Sequence, residues 1–94
     1  MSTHLYCVLP GQAPPDVPQG LTGVEGESVR ALPVDHVVAW VSDVQRDIPV
    51  SIDGVKAHDA VVEAALETGS TPVPARFGQR FADDDACRAA LIKR

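Results

Sequence analysis

Leu5-Tyr6-Cys7-Val8-Leu9 is an unbroken apolar run of good strand formers, closed by Pro10-Gly11. A strand with one wet face would alternate; this one does not, which predicts a central strand covered on both faces. The rest of the chain must supply those covers and the neighbouring strands. Immediately after it, residues 10–23 hold four prolines and three glycines and read as a long loop of extended character, either a mobile surface feature or a site of family insertion.

Two further strands follow, Ser28–Pro33 and His36–Ser42, joined tightly around Val34-Asp35; the core of the second, Val37-Val-Ala-Trp-Val41, is again apolar throughout. Residues 43–51 are weakly periodic and contain Pro49, so they are read as one irregular turn. The clearest helix runs from Asp53 to Thr68. Val55, His58, Val61, Val62, Ala65 and Leu66 recur at helical spacing on one stripe, with Glu63 and Glu67 on the wet side. Ser51 or Asp53 can cap its start and Gly69 can take the left-handed exit.

Ser70–Ala75 is apolar enough for a strand, but Pro72 and Pro74 lack N–H groups at a spacing of two, which suits an edge. Ala82–Lys93 reads as a second helix capped by Asp83. Its Asp84 and Asp85 favour the positive end, Lys93 and Arg94 the negative end, and Ala86, Ala89, Ala90 and Leu91 form the expected buried face. The predicted fold is α+β: a small mixed or antiparallel sheet of about four strands, two main helices laid on one face, and the order βββαβα. Residues 1–94 are expected to form a single domain.

Composition is ordinary for a globular domain, with 45% hydrophobic and 22% charged residues. Aromatic residues are few: Tyr6, Trp40, Phe77 and Phe81. A net charge of −5 disfavours nonspecific binding to nucleic acid or to an anionic membrane. The charge is uneven, because residues 1–67 hold ten acids against three bases and residues 68–94 three acids against five bases. No apolar run approaches the ~18 residues of a membrane span. Met1-Ser-Thr-His4 lacks a basic leader, and Cys7 and Cys87 do not form a disulfide framework, so a cytoplasmic location is expected.

No reactive constellation emerges. His4 and Cys7 are three apart on a strand, so they are expected to point to opposite faces and not to chelate together, and no paired-cysteine or helical His pattern suggests a metal. Cys87 lies near a helix start, but Asp83, Asp84 and Asp85 oppose a thiolate there; both cysteines read as packing residues. No phosphate loop or cofactor motif is present. His58, on the apolar stripe, reads as a structural histidine with a ring nitrogen bonded to backbone; the functional alternative pairs it with Arg76 in an anion-binding pocket.

Pro74-Ala-Arg-Phe-Gly78-Gln-Arg-Phe81 is the most distinctive segment. Gly78 suits a positive-φ turn, Arg76 could bond the backbone of that turn, and Phe77 could anchor it; alternatively an exposed Phe77 or Phe81 anchors a partner. The segment resembles the Pro-x-Arg-Phe-Gly stretch of the gas vesicle protein L/F family. Ala57-His-Asp-Ala-Val-Val-Glu63 is similar to that family's histidine-bearing helix, Leu5-Tyr-Cys-Val-Leu-Pro10 to its opening strand, and His36-Val-Val-Ala-Trp-Val-Ser42 to its third-strand segment. Pro72 stands where an aliphatic residue is usual, and Arg80 where an apolar one is.

The resemblance implies a non-enzymatic, cytoplasmic accessory associated with gas vesicles. It would bind the small hydrophobic shell protein and other accessory proteins, and assist nucleation and assembly. Family members are commonly longer, with a second α+β domain after this N-terminal one. Without such a domain an apolar face would be left uncovered, which would permit a homodimer. His58, Pro74, Arg76, Phe77, Gly78 and Phe81 are the candidate partner-binding or motif residues. A regulatory domain gripping a small anion through His58 and Arg76 is the competing reading, and an enzyme using His58 as a general base is a third.

Overall fold

Strand β1 (Ser2–Pro10) is the axis of the structure, a computed structural model that describes residues 2–10, 16–45, 51–69 and 71–92. Around it are β2 (Arg30–Val34), β3 (Val37–Val44), α1 (Ile52–Glu67), β4 (Val73–Pro74), β5 (Arg80–Phe81) and α2 (Asp84–Ile92). The sheet runs β2-β3-β1-β4, with β5 also paired to β1, and every pairing is antiparallel. The α+β class and the order of the large elements match the sequence reading. The strand count rises to five, because the final edge is built from two short pieces.

β1 and β3 pair along their whole length, with one irregularity between Leu5 and Cys7. There Tyr6 is an extra residue opposite the Val41–Trp40 step, a β-bulge that moves the side-chain alternation by one position. Tyr6 and Cys7 consequently pack in the same cluster, with Leu9, Trp40, Val44, Val61 and Ala65. Leu5 joins the other cluster, with Leu32, Val34, Ala39, Val41 and Cys87. The bulge corrects the expectation that His4 and Cys7 face opposite ways: strict alternation no longer holds between them.

The two clusters lie on opposite faces of the sheet. Helix α1 supplies Val61 and Ala65 to one, and α2 supplies Cys87 to the other. The helices therefore sandwich the sheet, in place of the expected one-face arrangement. With one helix on each face, the central strand is buried on both sides.

Local chemistry explains the helix bounds. Ser51 is extended and its hydroxyl accepts from the Gly54 N–H at 3.0 Å, capping α1; Gly69 (φ 89°) takes the left-handed exit. His58, Val61 and Ala65 are buried, but Leu66, expected on the same stripe, is 59% exposed. Asp83 caps α2 by accepting from Ala86 N–H at 2.8 Å. The fully buried residue of α2 is Cys87; of the expected face, Leu91 packs against the same cluster and Ala86 is partly buried, while Ala89 and Ala90 are exposed. Lys93 and Arg94, read as completing that helix, lie outside the described residues, as do 46–50 of the expected turn, Ser70 of the expected strand and 11–15 of the proline-rich loop.

The rest of that loop folds back on the sheet. Thr22 bridges Ser28, Glu25 and Gly26 take positive φ (58° and 72°), and Val24 is fully buried in the α1-side cluster. Gly23 is required there, because a Cβ would collide with the Tyr6 hydroxyl.

Both sheet edges carry proline where a donor would otherwise face out. Ala75 N–H donates inward to the Tyr6 carbonyl at 2.8 Å, so Pro74 turns its nitrogen outward, and Pro72 repeats this two residues earlier. On the opposite edge the Pro33 carbonyl accepts from Arg88 Nε at 3.3 Å, which fastens α2 to β2. Such edges resist the addition of a further strand.

Candidate functional site

The Arg76-Phe77-Gly78 segment is a turn between the two halves of an interrupted edge strand. Ala75 N–H bonds the Tyr6 carbonyl, and the Gln79 carbonyl accepts from Leu5 N–H at 3.0 Å, so residues 76–78 loop out between two anchors on β1. Gln79 N–H closes the turn on the Arg76 carbonyl at 3.2 Å, and Gly78 sits at φ 90°. A positive φ at the third position of a four-residue turn is what a type II turn demands, and glycine meets it without a steric penalty. The closing bond runs backbone to backbone, whereas the sequence reading assigned it to the Arg76 guanidinium; that side chain is exposed.

The turn sends Phe77 under α1, where it completes a cluster with His4, Tyr6 and His58. The His4 and His58 ring centroids are 5.2 Å apart, and Phe77 lies 6.0 Å from His4 and 5.8 Å from His58. Hydrogen-bond partners fix the tautomers of both histidines. His58 Nε2 is 2.9 Å from the Ala75 carbonyl, which can only accept, so Nε2 carries the proton and Nδ1 is the acceptor. His4 Nε2 lies 3.0 Å from that Nδ1 and therefore donates. His4 Nδ1 is left as a buried acceptor with no partner among the described residues. Burial, and secondarily the charge of His58, lower the His4 pKa to about 4, so the His4 ring is neutral near pH 7.

Tyr6 extends the same face into a polar chain. Val24 N–H donates to the Tyr6 hydroxyl at 3.0 Å, the hydroxyl donates to Ser42 Oγ at 2.9 Å, and Ser42 donates to the Ser28 carbonyl at 2.9 Å. Burial raises the Tyr6 pKa, which keeps the donor in place. The cysteines are inert for the same reason: burial pushes Cys7 up to about 12 and raises Cys87 as well, with Asp84 adding to the latter.

On the opposite face, Arg30 holds two carboxylates. It contacts Asp43 at 2.7 and 3.3 Å and Asp84 at 2.7 and 2.9 Å, while Thr3 Oγ1 donates to Asp84 at 2.9 Å. These bonds, Arg30 first, hold the Asp84 carboxyl below the usual carboxylate range, and they tie the start of α2 to three strands.

Beside that node lies a groove of about 480 Å³, between the C-terminal half of α2 and the β4 edge. Leu5, Val8, Ala75, Phe81 and Leu91 form its apolar floor, and Arg76 stands on its rim. Of the six residues singled out from sequence, Pro74, Arg76 and Phe81 line this groove. His58 of α1 packs on Phe77 on the other face, and Gly78 makes the turn between the two groups. His58 and Arg76 thus serve opposite faces and do not converge on one anion pocket. His4, Tyr6, Ser42 and Arg30 were missed as site-forming residues; only the buried position of His4 beside the apolar run hinted at its role. Among the described residues no three His, Cys, Asp or Glu gather to hold a metal, and no helix is long and apolar enough to cross a membrane.

Comparison with known proteins places this geometry. The family profile described as gas vesicle synthesis protein GvpL/GvpF matches residues 2–94. Gas vesicle protein L2 of Halobacterium salinarum is 35% identical over 89 residues, which cover 88% of this chain and 32% of that protein. Gas vesicle protein F of a Streptomyces species is 32% identical over 96 residues, covering 100% of this chain and 40% of its own. Crystal structures of GvpF from an Anabaena species and from Microcystis aeruginosa align with TM-scores of 0.83 and 0.80 at 22% and 25% identity, each over 98% of this chain and 38% of theirs. The chain therefore spans from about a third to two-fifths of the length of these relatives.

Proposed function

The chain belongs to the gas vesicle synthesis protein GvpL/GvpF family, and from that premise we propose that it is an assembly accessory that binds the small hydrophobic shell protein and assists gas vesicle nucleation. Its connection with gas vesicles follows from the family; the shell-protein contact, the non-enzymatic role and a cytoplasmic place of action are our reading. The observation that carries it is the match across residues 2–94 together with the groove lined by Pro74, Arg76 and Phe81 of the family-like segment.

Two features support a binding role over catalysis. Both His58 nitrogens are engaged inside the protein, by His4 and by the Ala75 carbonyl, which leaves no lone pair for a general base. The groove presents an apolar floor with a charged rim, the usual make-up of a contact surface. We take residues 1–94 as one domain of the family's N-terminal type, because a single sheet links β1 to β5.

A pull-down tests the proposal. The chain, immobilised, should retain purified shell protein above a charge-matched control domain; equal retention by the two would remove the reading.

A further inference from the structure

Resting on that binding reading, we propose that the α2-side groove is a docking site for an acidic, amphipathic helical segment of a partner protein. Val8 and Phe81 are only partly buried beneath the groove, Leu91 of α2 lines its wall, the buried Leu5 closes its base, and Val73 at its edge is 56% exposed. Arg76 is the one charged residue among the described residues that line the groove, in a chain that carries thirteen acids against eight bases. A locally basic rim on an acidic protein selects for a carboxylate beside the apolar contact.

The acids of residues 68–94 are Asp83, Asp84 and Asp85, all at the other end of α2 from the groove's Ala90 and Leu91, so they do not neutralise that rim.

The edge of the sheet decides the form of the occupant. A partner strand added beside β4 would need outward N–H donors, and Pro72 and Pro74 have none. A helix satisfies its own backbone and asks the groove only for side-chain contact. A helix laid there presents apolar residues at three- and four-residue spacing to the floor and a glutamate or aspartate to Arg76.

The probe is a synthetic peptide of about 18 residues, long enough to hold helix in water, with Leu and Ala on one face and Glu on the other. Three controls accompany it: Lys in place of Glu, the same composition with the apolar positions scattered, and an alternating strand-forming acidic peptide. Amide chemical shifts of the whole 94-residue chain report the contact. The expected result is saturable shifts at Leu5, Val8, Phe81 and Leu91 with the acidic amphipathic peptide alone. Arg76→Glu should weaken it about fivefold or more, equivalent to ~1 kcal/mol, and improve binding of the Lys control. Ala90→Gln, which adds uncharged bulk to the wall, should weaken the acidic peptide as well. Both positions are exposed, so an unchanged melting temperature certifies the fold.

Equal affinity for acidic and basic peptides, preference for the strand former, or shifts confined to the α1 side would overturn the proposal. So would a concentration-dependent dimer broken by the same substitutions, which would make a second copy the occupant. A shell-protein pull-down with the same variants separates this inference from the functional reading. Retention that both variants leave intact sinks the groove and spares the function; no retention by the parent chain sinks the function first.

Discussion

The two faces of the sheet are built to different standards of closure. Under α1, rings from β1, α1 and the Arg76-Phe77-Gly78 turn interlock, and a hydroxyl chain runs from Val24 through Tyr6 and Ser42 to Ser28. Under α2, a helix of nine residues packs on β2, β5 and part of β1 and leaves the β4 side open as a groove. The contrast implies a division of labour: the α1 face holds the fold together, and the α2 face is available to something else. Substitutions on the closed face should move stability; those at the open one should move binding.

The largest effect is expected at Trp40, fully buried in the α1-side cluster. Trp40→Ala should cost about 3–5 kcal/mol by urea denaturation, since the cavity cannot collapse against a paired sheet. Trp40→Phe should cost far less than this. The indole Nε1 is buried without a hydrogen-bond partner among the described residues, so its removal forfeits volume but no bond. Comparable losses for the two variants would break the picture of a tightly closed face.

Next comes a pH effect from His4. Its folded pKa, about 4, lies below the ordinary value of 6.5. The stabilisation from keeping this ring neutral is fully present above pH 6.5 and is lost as the pH falls toward about 4. In that window an unfolded chain binds a proton that the folded one refuses, so stability should fall by roughly 1.4 kcal/mol per pH unit. His4→Gln keeps a donor for His58 Nδ1 and removes the titration; its stability should be flatter across the same window. Identical slopes for parent and variant would locate the acid sensitivity elsewhere.

Much of this face was legible before folding was considered. The unbroken run at Leu5–Leu9 identified the central strand, and the periodic stripe with Ser51 and Gly69 at its ends identified α1. What escaped has physical reasons. The bulge at Tyr6 leaves no mark in composition, yet it changes which residues share a face. Strand β5 is two residues, Arg80 and Phe81, and exists because the Gly78 turn returns the chain to β1. The His4–His58 and Arg30–Asp84 pairs each join residues 54 positions apart, beyond any local pattern. The apolar residues Ala86, Ala89, Ala90 and Leu91 suggested the buried face of α2, but only Leu91 packs on the cluster, and the helix seats chiefly on Cys87 with its first turn tied to Arg30.

The Arg30 node gives a smaller prediction, on the open side. Asp84→Asn removes one of the two carboxylates held by the guanidinium and weakens the tie between α2 and the strands. All three side chains are about one-third or more exposed, so the loss should stay within about 1 kcal/mol and shrink as salt is raised. A salt-independent loss of several kcal/mol would mean that α2 depends on this corner far more than its exposure implies.

The smallest effect tests how tightly the turn and α1 are fitted together. Gly54 lies in the first turn of α1, where alanine would ordinarily gain roughly 0.5–1 kcal/mol in helix propensity. Here its Cβ would meet Phe77 Cζ at 3.1 Å and the capping Ser51 Oγ at 3.2 Å, so the gain is opposed by crowding. Gly54→Ala should therefore be close to neutral in the parent chain. In a Phe77→Leu background the shorter side chain withdraws from that contact, and the same substitution should recover much of the propensity gain. The double-mutant cycle should return a coupling of about 0.5–1 kcal/mol. Additive effects would show that Phe77 merely rests against α1, and the turn would then be free to move without disturbing the closed face.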